Sequence, residues 1–469
     1  MSRARPIVVA ERPAAGPPRP YVFPAVDRLR LDNGLALVVC HLPGRPLVEA
    51  SLVVPGGAAD EAEERAGAAI LMARALPEGT ARYSAIELVE ATERLGASLH
   101  AEAGWDATSI SADAPADRLP ATLDLMAEVF ARPTFPATEV ERLRDERLND
   151  LLQAKADPRR RVEEAFIETI YAPSSPYHRP GGGVRETVER LDVTALRAEH
   201  ARRFDPARMT LIVGGDLNGL DVPALAAERF GGWRAGPEAS GAGAIDATAA
   251  PGGRRVRIIH RPGAVQTEIR IGHVGLPRRI GDYHAVAVMS AILGGLFNSR
   301  LNRKLREEKG YTYGAGAGFD FRRAAGPFGA RAAVNTEVTV PAIVDLLAEL
   351  HAIRATPVSE AELRDARNYL VGVFPLRFET PGAVVGALAG LAVHGLPDDE
   401  LERYRPAIEA VTADAVLVAA RAYVRPDESA IVLVGDADAF LADVEAAGFG
   451  PVSVEREVLT EETAHDDPG

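Results

Sequence analysis

Cysteine occurs once in 469 residues, at Cys40. One thiol excludes an internal disulfide and any cysteine-built zinc cluster. Its setting, Leu35-Ala36-Leu37-Val38-Val39-Cys40, reads as a buried strand in which the thiol is a small core residue and not a nucleophile. Lysine is nearly as scarce: Lys155, Lys304 and Lys309 are the only three, so arginine carries almost all of the positive charge. Beside so much Ala, Gly and Pro, this is a compositional bias without functional content. Positive charge is also outnumbered, with 53 Lys+Arg against 67 Asp+Glu and a net charge of −14. That excludes the basic footprint of a nucleic-acid binder and predicts repulsion from an anionic membrane surface. No apolar run is long enough to span a bilayer. The first twenty residues, MSRARPIVVAERPAAGPPRP, hold only Ile7 to Ala10 as an apolar run, too short for a signal-peptide core. The expected compartment is the cytoplasm, with no membrane or nucleic-acid partner. No Gly-x-Ser-x-Gly elbow or Walker phosphate loop occurs, and Gly314-Ala315-Gly316-Ala317-Gly318 reads as a glycine-rich strand or bulge.

What is present is ordinary in bulk and repetitive in detail. Hydrophobic residues at 47% and charged residues at 26% fit a globular chain of roughly two to four domains. The segment VERLDVTALRAEHARRFDPARMTLIVGGD (188–216) aligns with IEAVTADAVLVAARAYVRPDESAIVLVGD (408–436) at a shift of 220, superposing Pro206 on Pro426 and Gly215-Asp216 on Gly435-Asp436. Each copy reads as a helix, a Pro-marked turn and an apolar strand. Between the copies, 234–253 is small, Gly/Ala/Pro-rich and aperiodic, and reads as a linker. The expected organisation is a flexible arm over 1–23, a first domain over 24–233, the linker, a second domain over 254–450 and a solvated acidic tail over 451–469. Asp32-Asn33-Gly34 between apolar runs predicts a hairpin, and Val48 to Val54 a further strand. Helices are expected near 60–76, 84–95, 117–131, 138–154 and 160–171. The second half repeats the order, with strands near 256–274 and 312–336 and helices near 281–309, 340–353, 359–374 and 383–393. The fold class expected is α+β: two homologous halves, each a mostly antiparallel sheet with helices on one face.

Several segments in this order resemble the pitrilysin/insulinase family, in its two-domain branch similar to the mitochondrial processing peptidase. They are NGLALVV (33–39), AGAAILMARALPEGT (66–80), ERLGASLHAEAGWDATS, PTFP (133–136), SSPYHRPGGG (174–183) and LREEKGYTYG (305–314). The resemblance implies a His-x-x-Glu-His motif on the first-half helix, two His four residues apart holding zinc and the Glu polarising its water, with a carboxylate ligand some seventy residues on. The matching residues here are Ile70-Leu71-Met72-Ala73-Arg74. Both His positions are lost, to Ile70 and Arg74, and the general base is Ala73. The downstream ligand position falls near Leu151, with no Glu. Ala68, Leu71, Met72 and Ala75 form the core stripe of that helix, leaving Ile70 and Arg74 on another face. An arginine there cannot deprotonate to become a ligand. No substitute motif occurs among the ten histidines, and no metal is expected in this chain.

The helix over SRLNRKLREEKGYTYG (299–314) is expected to close at Gly310 as a C′ glycine before a strand. Read without the family, Arg306 complements a helix C-terminus and Tyr313 is a half-buried strand aromatic. The resemblance instead implies that Arg306 and, seven residues on, Tyr313 reach a zinc site in the opposite half or a partner subunit, as donors that hold a peptide carbonyl and stabilise an oxyanion. Tyr311, on the same expected strand, falls outside that spacing. The chain is therefore expected to be the non-catalytic subunit of a heterodimeric zinc-dependent peptidase. A homologous partner would carry His-x-x-Glu-His and the zinc, and a peptide would be the substrate. The alternative is a structural scaffold subunit with no proteolytic role.

Overall fold

A computed structural model describes residues 16, 19–239 and 243–456. Two six-stranded mixed sheets organise it. The first is built from β1 (Asp27–Arg30), β2 (Ala36–His41), β3 (Leu47–Pro55), β4 (Ser98–Ala103), β5 (Ala107–Pro115) and β6 (Thr210–Gly215), in the order β1-β2-β6-β3-β5-β4. The second contains β7 (Val256–His260), β8 (Gln266–Val274), β9 (Ala315–Phe319), β10 (Pro327–Asn335), β11 (Ala430–Gly435) and β12 (Val452–Glu455), in the order β12-β7-β11-β8-β10-β9. The internal repeat is structural to the residue. The helices Val193–Arg203 and Ala413–Tyr423, the turns at Pro206 and Pro426, and β6 and β11 all match at a shift of 220. Each copy also uses one histidine in the same way: His41 Nδ1 accepts the N–H of Leu217 and His260 Nδ1 that of Ala437, both at 3.1 Å. The expected hairpin is present, with β1 and β2 antiparallel and Gly34 at φ +92°. Its carbonyl side is closed by Asn33, whose Oδ1 accepts the N–H of Leu35.

The expected helices form one face of each sheet, but the other face is also covered, and by the opposite half. The Pro158–Ile170 helix lies on β8 and β11 of the second sheet. Val162, Ala165, Phe166 and Ile170 pack there on Ile259, Val274, Val432 and Val434. The Pro381–His394 helix lies on β3 and β6 of the first sheet, where Val384, Val385, Leu388 and Leu391 meet Cys40, Val53 and Ile212. Both helices start alike: a capping side chain, Asp157 or Thr380, accepts first-turn N–H groups and proline occupies the first position.

Three expected connecting segments are more ordered than their composition suggests. At the end of the arm, Phe23 is buried and Tyr21 stacks near Phe378. In the linker, Thr248 accepts the Ala172 N–H, Ala250 donates to Ile170, and Ser175 Oγ donates to the Asp246 carbonyl at 2.7 Å. In the tail, Val452–Glu455 adds a parallel edge strand to β7, and Glu455 takes Arg257 at 2.8 Å. Residues 1–15, 17–18, 240–242 and 457–469 of these segments lie outside the described residues.

The β9–β10 connection locks the halves together. Arg323 Nη2 donates at 2.7 Å to Oδ1 of Asp60, whose side chain is 4% exposed, and its N–H to Asp106 Oδ2 at 2.8 Å. Arg322, also buried, has its guanidinium 4.4 Å from the ring centroid of Trp105 and 4.6 Å from that of Tyr177. Tyr171 Oη donates to the Ala325 carbonyl at 2.8 Å. Arg323→Ala would strand the Asp60 carboxylate. It is expected to cost about 3 kcal/mol in urea unfolding, and an unchanged midpoint and slope would show that this contact is not a lock.

Glu49 lies on the first sheet's face toward the Pro381–His394 helix, opposite Asp113 in the β3–β5 ladder. Burial, with the Asp113 charge adding to it, pushes its carboxyl up to about 7. Such a group stabilises the fold when protonated. Its contribution is complete below about pH 4.5 and is lost as pH rises through 7. Glu49→Gln is therefore expected to raise Tm at pH 8 and to lose that advantage at pH 4.5. Equal shifts at both pH values would refute the assignment.

Candidate functional site

The Ala68–Ala75 helix begins where backbone meets backbone. Gly67 has φ +98°, and a Cβ there would stand 2.6 Å from the Gly182 carbonyl oxygen. Buried Glu61 accepts the N–H groups of Gly67 at 2.9 Å and Ala69 at 2.5 Å, filling orphan donors of the first turn. Burial pushes the Glu61 carboxyl up to about 7 against the pull of those donors and of Arg203. Ala68, Leu71, Met72 and Ala75 are at most 2% exposed, as the core stripe requires. Ala73 is fully buried as well, Ile70 is half-buried, and Arg74 reaches solvent.

Arg74 is already committed. Its Nη2 donates to Glu146 Oε2 at 2.7 Å, on the Ala137–Ala156 helix, and Glu146 also accepts Arg142 at 2.6 Å. Leu151, on that same helix, is half-buried and lines a separate hollow with Lys155, Pro180 and Val184. Neighbouring Asp150 is held by Arg147 and, at 2.8 Å, by Arg160. Zinc needs convergent neutral or anionic donors with free lone pairs. Positions 70, 73 and 74 offer an aliphatic chain, a methyl group and an ion-paired guanidinium. These residues do not fit a zinc ion. Among the described residues, the one group with metal-like spacing is His260, Asp436 and Asp438. It is occupied by protein: Ala437 N–H on His260, the N–H of Gly263 on Asp436 at 3.0 Å, and Arg456 on Asp438 at 2.6 Å.

In the second half, helical residues 300–308 end at Gly310, φ +64°, with its N–H on Arg306 O and the Tyr311 N–H on Leu305 O. The C′ glycine is in place. The strand begins later than expected, at Ala315, so Tyr311 and Tyr313 lie in a connecting turn pinned by Thr312 Oγ1 donating to Gly314 O at 2.9 Å. The two tyrosines then differ sharply. Tyr311 packs against the second core, whereas Tyr313 is 95% exposed. The Arg306 guanidinium stands 4.4 Å from the ring centroid of Phe297, which is itself 72% exposed. Tyr313 and Phe297 border a groove of about 560 Å³ with Gly294, Gly295, Gly314 and Gly316 along it and Arg159, Glu268, Arg270 and Arg331 contributing charge. Neither Ile70 nor Arg74 lines that groove. The sequence reading missed Arg159, Glu268, Arg270 and Arg331. Strand alternation puts Glu268 and Arg270 on one face, but only the β8–β10 register brings Arg331 beside them.

Comparison with known proteins places this geometry. The family model described as Insulinase (Peptidase family M16) matches residues 37–177, and that described as Peptidase M16 inactive domain matches 190–370. An uncharacterised zinc protease of Mycobacterium tuberculosis is 26% identical over 87% of this chain and 93% of its own length. A non-peptidase homologue of Helicobacter pylori is 22% identical over 74% of this chain and 79% of its own. The solved structure of a peptidase M16 inactive domain from Pseudomonas fluorescens superposes with a TM-score of 0.81 at 25% identity, covering 88% of this chain and 98% of that one. A protease structure from Helicobacter pylori gives the same TM-score at 20% identity, over 88% and 99%. Two models of one family matched in order, over two sheets of matching fold, show that the chain belongs to the insulinase family, peptidase family M16.

Proposed function

We propose that this chain is the non-catalytic subunit of a two-chain, zinc-dependent peptidase of the cytoplasm. A homologous partner carries His-x-x-Glu-His and the metal. This chain supplies half of the enclosing surface, a place for the peptide, and Arg306 and Tyr313 for the partner's site. One contrast carries the reading. The helix that would hold zinc is filled by hydrocarbon and an ion pair, whereas Tyr313 presents its phenol to solvent with Arg306 close by in sequence. A phenol at 95% exposure is of little use to this chain's own core and is free to act on another chain. Guanidinium and phenol are fixed donors, suited to the charge that develops on a peptide carbonyl under attack. The name of the Helicobacter relative, a non-peptidase homologue, agrees with a chain that does not itself catalyse. Among the described residues no single helix is long and apolar enough to cross a membrane.

The isolated chain is expected to hold no stoichiometric zinc by elemental analysis and to cleave no quenched peptide. Restoring Ile70→His, Ala73→Glu and Arg74→His together should not create a peptidase. Position 73 is closed, so the new carboxylate is buried without partners, and Tm should fall. A triple variant with tight zinc and robust turnover would sink the argument.

With the partner reconstituted, Tyr313→Phe and Arg306→Ala are expected to lower kcat by about 10²–10³-fold each while the dimer persists on size exclusion. Tyr311→Phe is the control and should leave kcat unchanged. Wild-type kcat in both variants would mean that neither donor reaches the reaction. A complex that assembles but shows no dependence on this chain's residues would favour the scaffold role.

A further inference from the structure

The sheet face that takes the Pro158–Ile170 helix changes character along its width. Val432 and Val434 are covered by the helix, but Glu268, Arg270 and Arg331 on the same face line the groove beside its first turns. Arg270 and Arg331 are direct cross-strand partners. Like charges placed so are destabilising unless neutralised. Arg270 is neutralised: Glu163 stands at 2.6 Å and Glu268 at 3.5 Å, and the arginine is 4% exposed.

Arg331 is different. Among the described residues no carboxylate comes within ion-pair distance of it, and it is exposed to the groove. Its ladder neighbour on the other side is Gly316, which brings no side chain against it. Arg159, on the helix beside it, also lines the groove without a close carboxylate, although its charge is felt at Glu268. The charged lining of this groove is three arginines, one of them already paired, to one glutamate, and the adjoining hollow that shares Arg270 and Arg331 adds Glu163, Glu164 and Asp320 with Arg322. A guanidinium left unpaired in a concave site suits an anion with two acceptor oxygens. Two exposed glycines, Gly295 and Gly314, let a main chain approach closely, and Phe297 and Tyr313 offer apolar faces at the border.

We propose that this groove is a carboxylate-reading subsite for an extended peptide, with Arg331 as its specificity-determining residue and Arg159 as a second positive charge. The proposal deepens the peptide-handling role above and rests on it for the identity of the ligand. The carboxylate could be an acidic side chain or a C-terminus, and the groove chemistry is the same for both.

The test uses the full chain alone and fluorescence anisotropy with short labelled peptides, carrying interior Glu or Gln and a free or amidated C-terminus. Carboxylate-bearing peptides should bind more tightly than the Gln amide. Arg331→Gln should weaken them by about three- to tenfold, between an exposed ion pair and a charge-assisted hydrogen bond, and leave the Gln amide unchanged. Arg331→Lys should recover part of the loss, and Glu268→Gln should tighten the same peptides by removing a competing charge. If only Glu peptides respond, the reader recognises side chains; if only free acids respond, it recognises C-termini. Equal binding of all peptides, no measurable binding, or indifference to Arg331→Gln in a variant with wild-type circular dichroism would overturn the proposal. Because no partner is present, such a failure leaves the two-chain reading standing, and a failure of the Arg306 and Tyr313 kinetics leaves the subsite standing.

Discussion

Each sheet has two apolar faces, and each half of the chain brings helices enough for one. The remaining face cannot be left to water: Val53 and Ile212 in one sheet, and Ile259, Val432 and Val434 in the other, would form an exposed patch. Exchange of the Pro158–Ile170 and Pro381–His394 helices solves both problems at once. Its consequence is that neither half is closed by its own helices, and that the pieces between them are drawn into order. The stretch after the first exchanged helix is pinned to residues 246–250, and the arm at Tyr21 and Phe23 packs beside the second. Even Cys40 is explained this way, as a small buried residue in the layer beneath the second exchanged helix.

The same constraint fixes where function can lie. A helix that is buried on several sides keeps few positions for chemistry. On Ala68–Ala75 those are Ile70 and Arg74, and the Arg74–Glu146 pair ties that surface to the next helix. An exposed pair of this kind contributes little to stability. It does, however, leave a permanent cation on that surface, and it uses the carboxylate that faces it. The opposite situation holds around Tyr313, where the phenol is exposed and, among the described residues, Arg159 and Arg331 have no carboxylate in ion-pair distance.

Much of the architecture was legible in the residues. Asn33-Gly34 marked a real hairpin, Gly310 a real helix end, and the Pro and Gly-Asp punctuation of the repeat matched two superposable units because backbone turns tolerate few substitutes. That Ile70, Ala73 and Arg74 cannot ligate a metal was readable because ligation admits few residue types. What was not legible depended on pairing. The sequence does not mark the strands Ser98–Ala103 and Ala107–Pro115: the first is a half-exposed edge that alternates but carries only Leu99, Ala101 and Ala103 on its inner side, and its register comes from the neighbouring strand. Val452–Glu455 looked like tail because its acidic residue marks solvent in sequence, whereas Glu455 serves Arg161 and Arg257 across the sheet. One-face coverage of the sheets failed for the same reason, since composition cannot say that a helix crosses to the other half.

The contrast between Arg270 and Arg331 shows how far pairing governs the site. They share residue type, sheet face and ladder position, yet one is buried between two glutamates and the other opens on the groove with no carboxylate in ion-pair distance among the described residues. What separates them is their surroundings. Arg270 is flanked by Ile269 and Ile271 on a central strand, where a cation survives only if neutralised. Arg331 lies one strand nearer the edge, beside a strand rich in glycine, where water can solvate it until an anion arrives. A cation solvated in this way loses little on meeting a carboxylate, and one already paired would have to break a bond first. The chain's capacity to bind thus rests on which of two matched arginines the fold leaves without a partner.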